Sequence, residues 1–81
     1  MFAYPVTYDP DADALYITVH DAPIASQVSL TPDIIVDETA DHRLVGLEIL
    51  TPADNWPLAR TLLAQHGYAL DLPANWTDPI R

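Results

Sequence analysis

The chain has 81 residues, no cysteine, 12 acidic side chains and three basic ones, all arginine, for a formal net charge of −9. That length holds one small domain with a thin stability margin, and the lack of cysteine excludes disulfides and cysteine-ligated zinc. The negative field disfavours nucleic acid and anionic membrane and attracts basic surfaces, while 49% hydrophobic residues is too many for a disordered acidic tail.

From Tyr4 to Leu50 the apolar residues alternate with a period of two, the mark of half-buried strands. Tyr4, Val6 and Tyr8 share one face of the first strand. The segment Asp9-Pro10-Asp11-Ala12-Asp13 is a turn: proline presets φ, and aspartates accept bonds from nearby backbone N–H groups. A second strand follows from Ala14 to His20, with Leu15, Ile17 and Val19 on one face and Tyr16, Thr18 and His20 on the other. Asp21-Ala22-Pro23 ends it, Gln27 to Leu30 forms a short third strand, and Thr31-Pro32-Asp33 turns again. Ile34 to Val36 opens a fourth strand, residues 38–42 form a polar loop, and Leu44 to Leu50 makes the fifth. If Val36 opposes Val45, then Ile34, Val36, Val45, Leu47 and Ile49 face the core. The reverse face then carries Ile35, Asp37, Leu44, Gly46, Glu48 and Leu50.

Beyond Thr51-Pro52 the period changes. Asp54 or Asn55 is expected to cap a helix with Pro57 in its first turn, and Leu58/Leu62 with Ala59/Leu63 form its apolar stripe. Gly67 after His66 marks its C-terminal end. Tyr68, Leu70 and Leu72 then alternate in a short strand or an extended arm. The expected architecture is α+β in one domain, residues 1–81: an antiparallel β-meander over 4–50, a helix over 54–66 packed on the sheet, and a C-terminal arm over 68–81. The N-terminus has no basic region followed by an apolar run, and no apolar stretch is long enough to span a membrane, so a cytoplasmic protein is expected.

The run Tyr8-Asp9-Pro10-Asp11-Ala12-Asp13-Ala14-Leu15-Tyr16-Ile17 resembles the opening signature of a family of small prokaryotic proteins, domain of unknown function 2283. Ile34-Ile35-Val36-Asp37 and Arg43-Leu44-Val45-Gly46-Leu47-Glu48-Ile49-Leu50 continue that resemblance in the same order, covering Val6 to Leu50. Asp11 departs from it, standing where a glutamate is usual. The resemblance implies a compact antiparallel fold and a prokaryotic source, and supplies no catalytic residue, substrate or cofactor. It also admits an antitoxin-like role against a small basic toxin.

Three arrangements invite a chemical reading. Asp9-x-Asp11-x-Asp13 matches the first ligands of a calcium-binding loop, but Ala14 replaces the required glycine and His20 the bidentate glutamate. A capped turn explains the three aspartates better. His20, His42 and His66 fit no metal spacing. Asp37 and Glu48 on one face form a carboxylate pair, yet acid–base catalysis needs a cleft to separate their pKa values, and a small sheet offers little depth. There is no nucleophile elbow and no glycine-rich phosphate loop. No enzyme activity and no cofactor are therefore expected. The expected function is an acidic protein-interaction module, a homodimer in isolation, that docks a basic protein through Tyr16, Ile35, Asp37, Leu44, Glu48 and Leu50, with Trp56 and Trp76 as aromatic anchors. The alternatives are a metal-dependent hydrolase using Asp9, Asp11 and Asp13, and a purely structural assembly domain.

Overall fold

The computed structural model describes residues 2–80. Five strands form one antiparallel sheet: β1 (Val6–Asp9), β2 (Ala14–Thr18), β3 (Ser26–Thr31), β4 (Ile34–Glu38) and β5 (Leu44–Leu50). One helix follows, α1 (Pro52–Gln65), and a 3₁₀ turn, Asp78–Ile80, lies near the end of the chain.

The first turn forms as its aspartates dictate. Asp9 Oδ1 accepts the backbone N–H groups of Asp11 at 3.0 Å and Ala12 at 3.4 Å. Asp13 adopts φ 49°, a left-handed position that aspartate tolerates, and takes the Tyr8 hydroxyl on Oδ1 at 2.7 Å. The antiparallel α+β reading holds, but the strands do not lie in chain order. The order is β1-β2-β5-β4-β3, so a β1–β2 hairpin is joined through β5 to a β3–β4–β5 meander. The link from Val19 to Ala25 carries the chain to the far edge. It is held by Val45 O, which accepts from the N–H groups of Val19 and His20, and by Glu38 O, which accepts from Ala25 N–H. Alternation along each strand cannot reveal this, because it fixes which face a side chain occupies and not which strand lies beside it.

The covered face is apolar. Leu15, Ile17, Ile34, Val36, Leu47 and Ile49 are buried there against Trp56, Ala59 and Leu63 of α1 and Leu72 of the arm. Val36 opposes Leu47 and not Val45, a shift of two residues that leaves the face assignment intact. A bulge between Asp37 and Glu38 does change it locally. Asp37 opposes Gly46, Glu38 opposes Leu44, and Val45 has no partner across the ladder. Leu44 accordingly packs against the core from the covered side, whereas the alternation placed it on the reverse face.

Helix α1 begins earlier than its cap residues suggest. Thr51, at φ 46°, turns the chain without a side-chain cap, and Pro52 takes the first helical position. A proline there gives up an N–H that would have no partner. Pro57 lies inside the helix, not in its first turn. Asn55 is no cap; its Nδ2 donates to Leu50 O at 2.7 Å and ties the first turn to the end of β5. The stripe that meets the sheet is Trp56, Ala59, Leu63, leaving Leu58 43% exposed. The C-terminus closes as expected. Gly67 takes φ 78°, its N–H donates to Ala64 O at 3.1 Å, and Tyr68 N–H donates to Leu63 O at 3.0 Å, the paired bonds of a Schellman end.

The chain after Gly67 forms no strand and lies as an extended arm across the covered side. Leu72 is buried, Trp56 Nε1–H donates to Pro73 O at 2.8 Å, and the Trp76 ring sits 5.4 Å from that of Tyr8. Among the described residues no helix is long and apolar enough to cross a membrane.

Trp56 therefore fastens helix, sheet and arm at one point. Trp56→Ala is expected to cost about 3–5 kcal/mol, a large share of what so small a domain has, whereas Leu58→Ala changes stability by less than about 0.5 kcal/mol. Urea unfolding followed by circular dichroism measures both.

Candidate functional site: the open sheet face

Helix and arm both lie on one side, so the other side of the sheet is bare among the described residues. The register fixes its composition. Thr7, Tyr16, Glu48, Ile35 and Ser29 form one row across all five strands, and Thr18, Gly46, Asp37 and Gln27 form the next. Ala14 and Leu50 stand opposite each other beside these rows. Tyr16, Ile35 and Leu50 are half-buried and take no part in the apolar core.

Asp37 is the best-held polar group on this face. It is 4% exposed, and both of its oxygens accept hydrogen bonds: Oδ2 from the Tyr16 hydroxyl at 2.7 Å and Oδ1 from Gln27 Nε2 at 2.8 Å. Gly46 makes this possible. A Cβ built there would stand 2.8 Å from Ile17 O and 2.7 Å from Tyr16 Cζ, so only glycine lets the phenol cross β5 to reach β4. Burial, then the bond to Asp37 and the charges of Asp37 and Glu48, push the Tyr16 phenol up to about 12. Tyr16 is thus a fixed neutral donor at any ordinary pH. Glu48 beside it is half-buried and has no hydrogen-bond partner among the described residues. None of the five strands contains a lysine, arginine or histidine. The strand positions of this face therefore carry three carboxylates, Asp37, Glu48 and, in the row of Ala14 and Leu50, Asp9, and no basic side chain.

A second polar node lies on the covered side, at the end of β4. Tyr68 OH donates to Glu38 Oε2 at 2.6 Å, and His42 Nδ1 stands 3.3 Å from Oε1. The Tyr68 bond is the main cause that lowers the Glu38 pKa below its ordinary 4.5, with burial opposing it and His42 adding to it. Burial and the Glu38 contact push Tyr68 up to about 12. This node clips the start of the arm to the sheet.

Of the residues singled out from the sequence, Tyr16, Ile35, Asp37, Glu48 and Leu50 share the open face. Leu44 does not, for the bulge places it with Glu38. Trp56 is 1% exposed in the core and is no surface anchor; Trp76 is half-buried on Tyr8, away from the open face. The aspartates Asp9, Asp11 and Asp13 do not converge, because Asp9 caps the turn and Asp13 accepts from Tyr8. Among the described residues no group of three or more histidines or carboxylates is placed to hold a metal ion. Gln27, the second donor to Asp37, was not legible in the sequence. Gly46 gave a signal, since a glycine within a strand commonly marks close approach.

The family model described as Protein of unknown function (DUF2283) matches residues 6–51, and the chain belongs to that family. The matched segment supplies Tyr16, Asp37, Gly46 and Glu48 and ends just as α1 begins. No curated protein and no solved structure matches the chain.

Tyr16→Phe leaves one oxygen of buried Asp37 without its donor and is expected to cost about 1–3 kcal/mol in urea unfolding. Gly46→Ala, which forces the phenol aside against fixed backbone, is expected to cost about the same. The raised phenol pKa values contribute stability that is full below pH 10 and lost as pH rises through about 12. Absorbance titration should show two of the four tyrosines ionising near 12, with Asp37→Asn moving one of them down. Glu38 acts at the other end: its lowered pKa adds stability above the ordinary 4.5 that disappears as pH falls through the native value. The stability difference between wild type and Tyr68→Phe should therefore be larger at neutral pH than in acid.

Proposed function

We propose that this chain is a non-catalytic protein-interaction module whose open sheet face docks a basic protein surface. The observation that carries the reading is a bare face holding Asp37, Glu48, Tyr16, Ile35 and Leu50, drawn from strands that contain no basic residue. A partner that buries this face must bring its own positive charge, because covering Glu48 without a counter-ion is costly. Arginine suits the site, since its planar group stacks on a phenol and bonds a carboxylate at once.

The division of labour follows from magnitudes. The net charge of −9 steers a basic partner at long range and sets specificity, while Tyr16, Ile35 and Leu50 supply desolvated contact area and most of the affinity. Asp37 supports the reading by holding the Tyr16 ring in one orientation, so little freedom is lost on docking. A non-catalytic role is supported by the same bonds: both Asp37 oxygens are engaged, and Tyr16 keeps its proton. An antitoxin-like inhibitor of a small basic protein is the narrowest form of this proposal.

The test is capture of partners from a native host extract at low and moderate salt, followed by affinity measurement. A basic protein is expected, bound more weakly as salt rises, with Glu48→Lys lowering affinity by at least about tenfold and Ile35→Ala weakening it at every salt concentration. Capture of no basic protein at either salt, or a captured one indifferent to Glu48→Lys, would overturn the proposal.

A further inference from the structure

The two edges of the sheet are treated differently. At one edge, β1 has only four residues, is bracketed by Pro5 and Pro10 and ends in Asp9. Trp76 and the 3₁₀ turn Asp78–Ile80 pack against it. Short length, proline, charge and a covering segment are the ordinary protections of an exposed edge. At the other edge, β3 has six residues and no charge, and of these protections it has only Pro32, just past its end. Its residues Ser26 to Ser29 are exposed, Val28 by 38%, and Ile24 just before them by 53%. α1 packs its stripe at β5, and β3 lies at the far side of β4 from it.

Charge decides what can occupy this edge. The chain from Ala22 to Pro32 contains no acidic or basic side chain, the longest such stretch in a molecule with 12 acids. Strands β1, β4 and β5 each contain a carboxylate, and β2 has none but is paired on both sides. Two copies that each carry −9 repel unless their contact keeps carboxylates apart. Strand β3 is the one strand edge that meets this condition. A basic protein has no charge to engage there and is drawn to the open face instead.

We infer that β3 pairs antiparallel with β3 of a second copy, through Ser26 to Ser29, to make one sheet continuous across the two chains. The bulge at Leu30, where the register shifts between Ser29 and Thr31, ends the pairing on that side. A two-fold axis normal to the sheet relates the copies, as antiparallel pairing of like strands requires. With the axis passing through Val28, which opposes Val36 on the covered side, the two Val28 side chains meet across the seam. Both helices lie on one side of the joint sheet and both open faces on the other. The pairing stands without the proposed role of the open face; if that role holds, the dimer presents the acidic face twice and binds an extended or dimeric basic partner with avidity.

Light scattering coupled to size exclusion reads the mass of the full chain, and amide hydrogen exchange reads β3. The expected mass is twice 9.0 kDa at high concentration, with protection of the amides between Ser26 and Ser29 that point away from β4 lost on dilution. Ser29→Lys and Val28→Lys, each at an exposed position, are expected to halve the mass while circular dichroism stays that of the folded chain. A monomer at millimolar concentration would overturn the inference, as would a dimer whose β3 amides exchange freely or one that survives both folded variants. Protection of β3 that appears only on adding a basic protein would instead assign this edge to that partner. Partner capture with the monomeric Val28→Lys chain separates the two proposals, because Val28 opposes Val36 on the covered side and its substitution leaves the residues of the open face unchanged.

Discussion

One helix has to act as the entire second layer of this protein, and the burial of Trp56 is what secures it. The sheet has two faces and α1 has one stripe, so only one face becomes dry. Trp56 fills the centre of that layer and spends its N–H on Pro73 O, which brings the arm down beside the helix. Without disulfides, the arm does what a cross-link does in many domains of this size: it holds distant segments together, with Tyr68 on Glu38 at one end and Trp76 on Tyr8 at the other. The fold is therefore lopsided by necessity. A dry side contains the helix, the arm and nearly all the packing, and a bare side must satisfy its polar groups alone.

That second requirement explains the polar construction on the open face. Asp37 sits among strands with no basic residue, so no ion pair can neutralise it. It is held instead by two neutral donors, Tyr16 and Gln27, one reaching over Gly46 and the other across from β3. Neutral donors leave the negative charge in place. A salt bridge would have cancelled it; the phenol and amide orient the carboxylate without cancelling its charge. Four strands take part in this small cluster, which ties Tyr16, Gln27 and Asp37 together over Gly46.

Strand content, the covered face and the α+β class were legible from the period-two alternation, because burial on one side of a sheet writes itself into every second residue. What was not legible shares one cause: it depends on which strand lies beside which. The order β1-β2-β5-β4-β3 leaves the same alternation as a simple meander. The bulge that moved Leu44 across the sheet is a matter of register between β4 and β5, and Gln27 became a partner of Asp37 only because β3 and β4 pair at that row. The helix misled for a different reason. Asp54 and Asn55 are good caps by type, but Pro52 after a left-handed Thr51 starts the helix before either can act. Trp56, read as a surface anchor because aromatic residues mark binding hot spots, is the wheel position that faces the sheet.

The distribution of charge ties these features together. Solubility alone would be served by acids spread over every surface, yet the stretch from Ala22 to Pro32 has none, and it coincides with the edge strand whose residues Ser26 to Ser29 are exposed among the described residues. An uncharged, unprotected edge carries a risk of unwanted pairing that a lysine or a glutamate would remove. The opposite edge shows that this chain does protect strands, with proline, Asp9 and the arm. Both proposed contacts rest on this contrast within one small sheet: an edge strand, β3, that has no charge, and an adjoining face that carries Asp37 and Glu48 beside Tyr16.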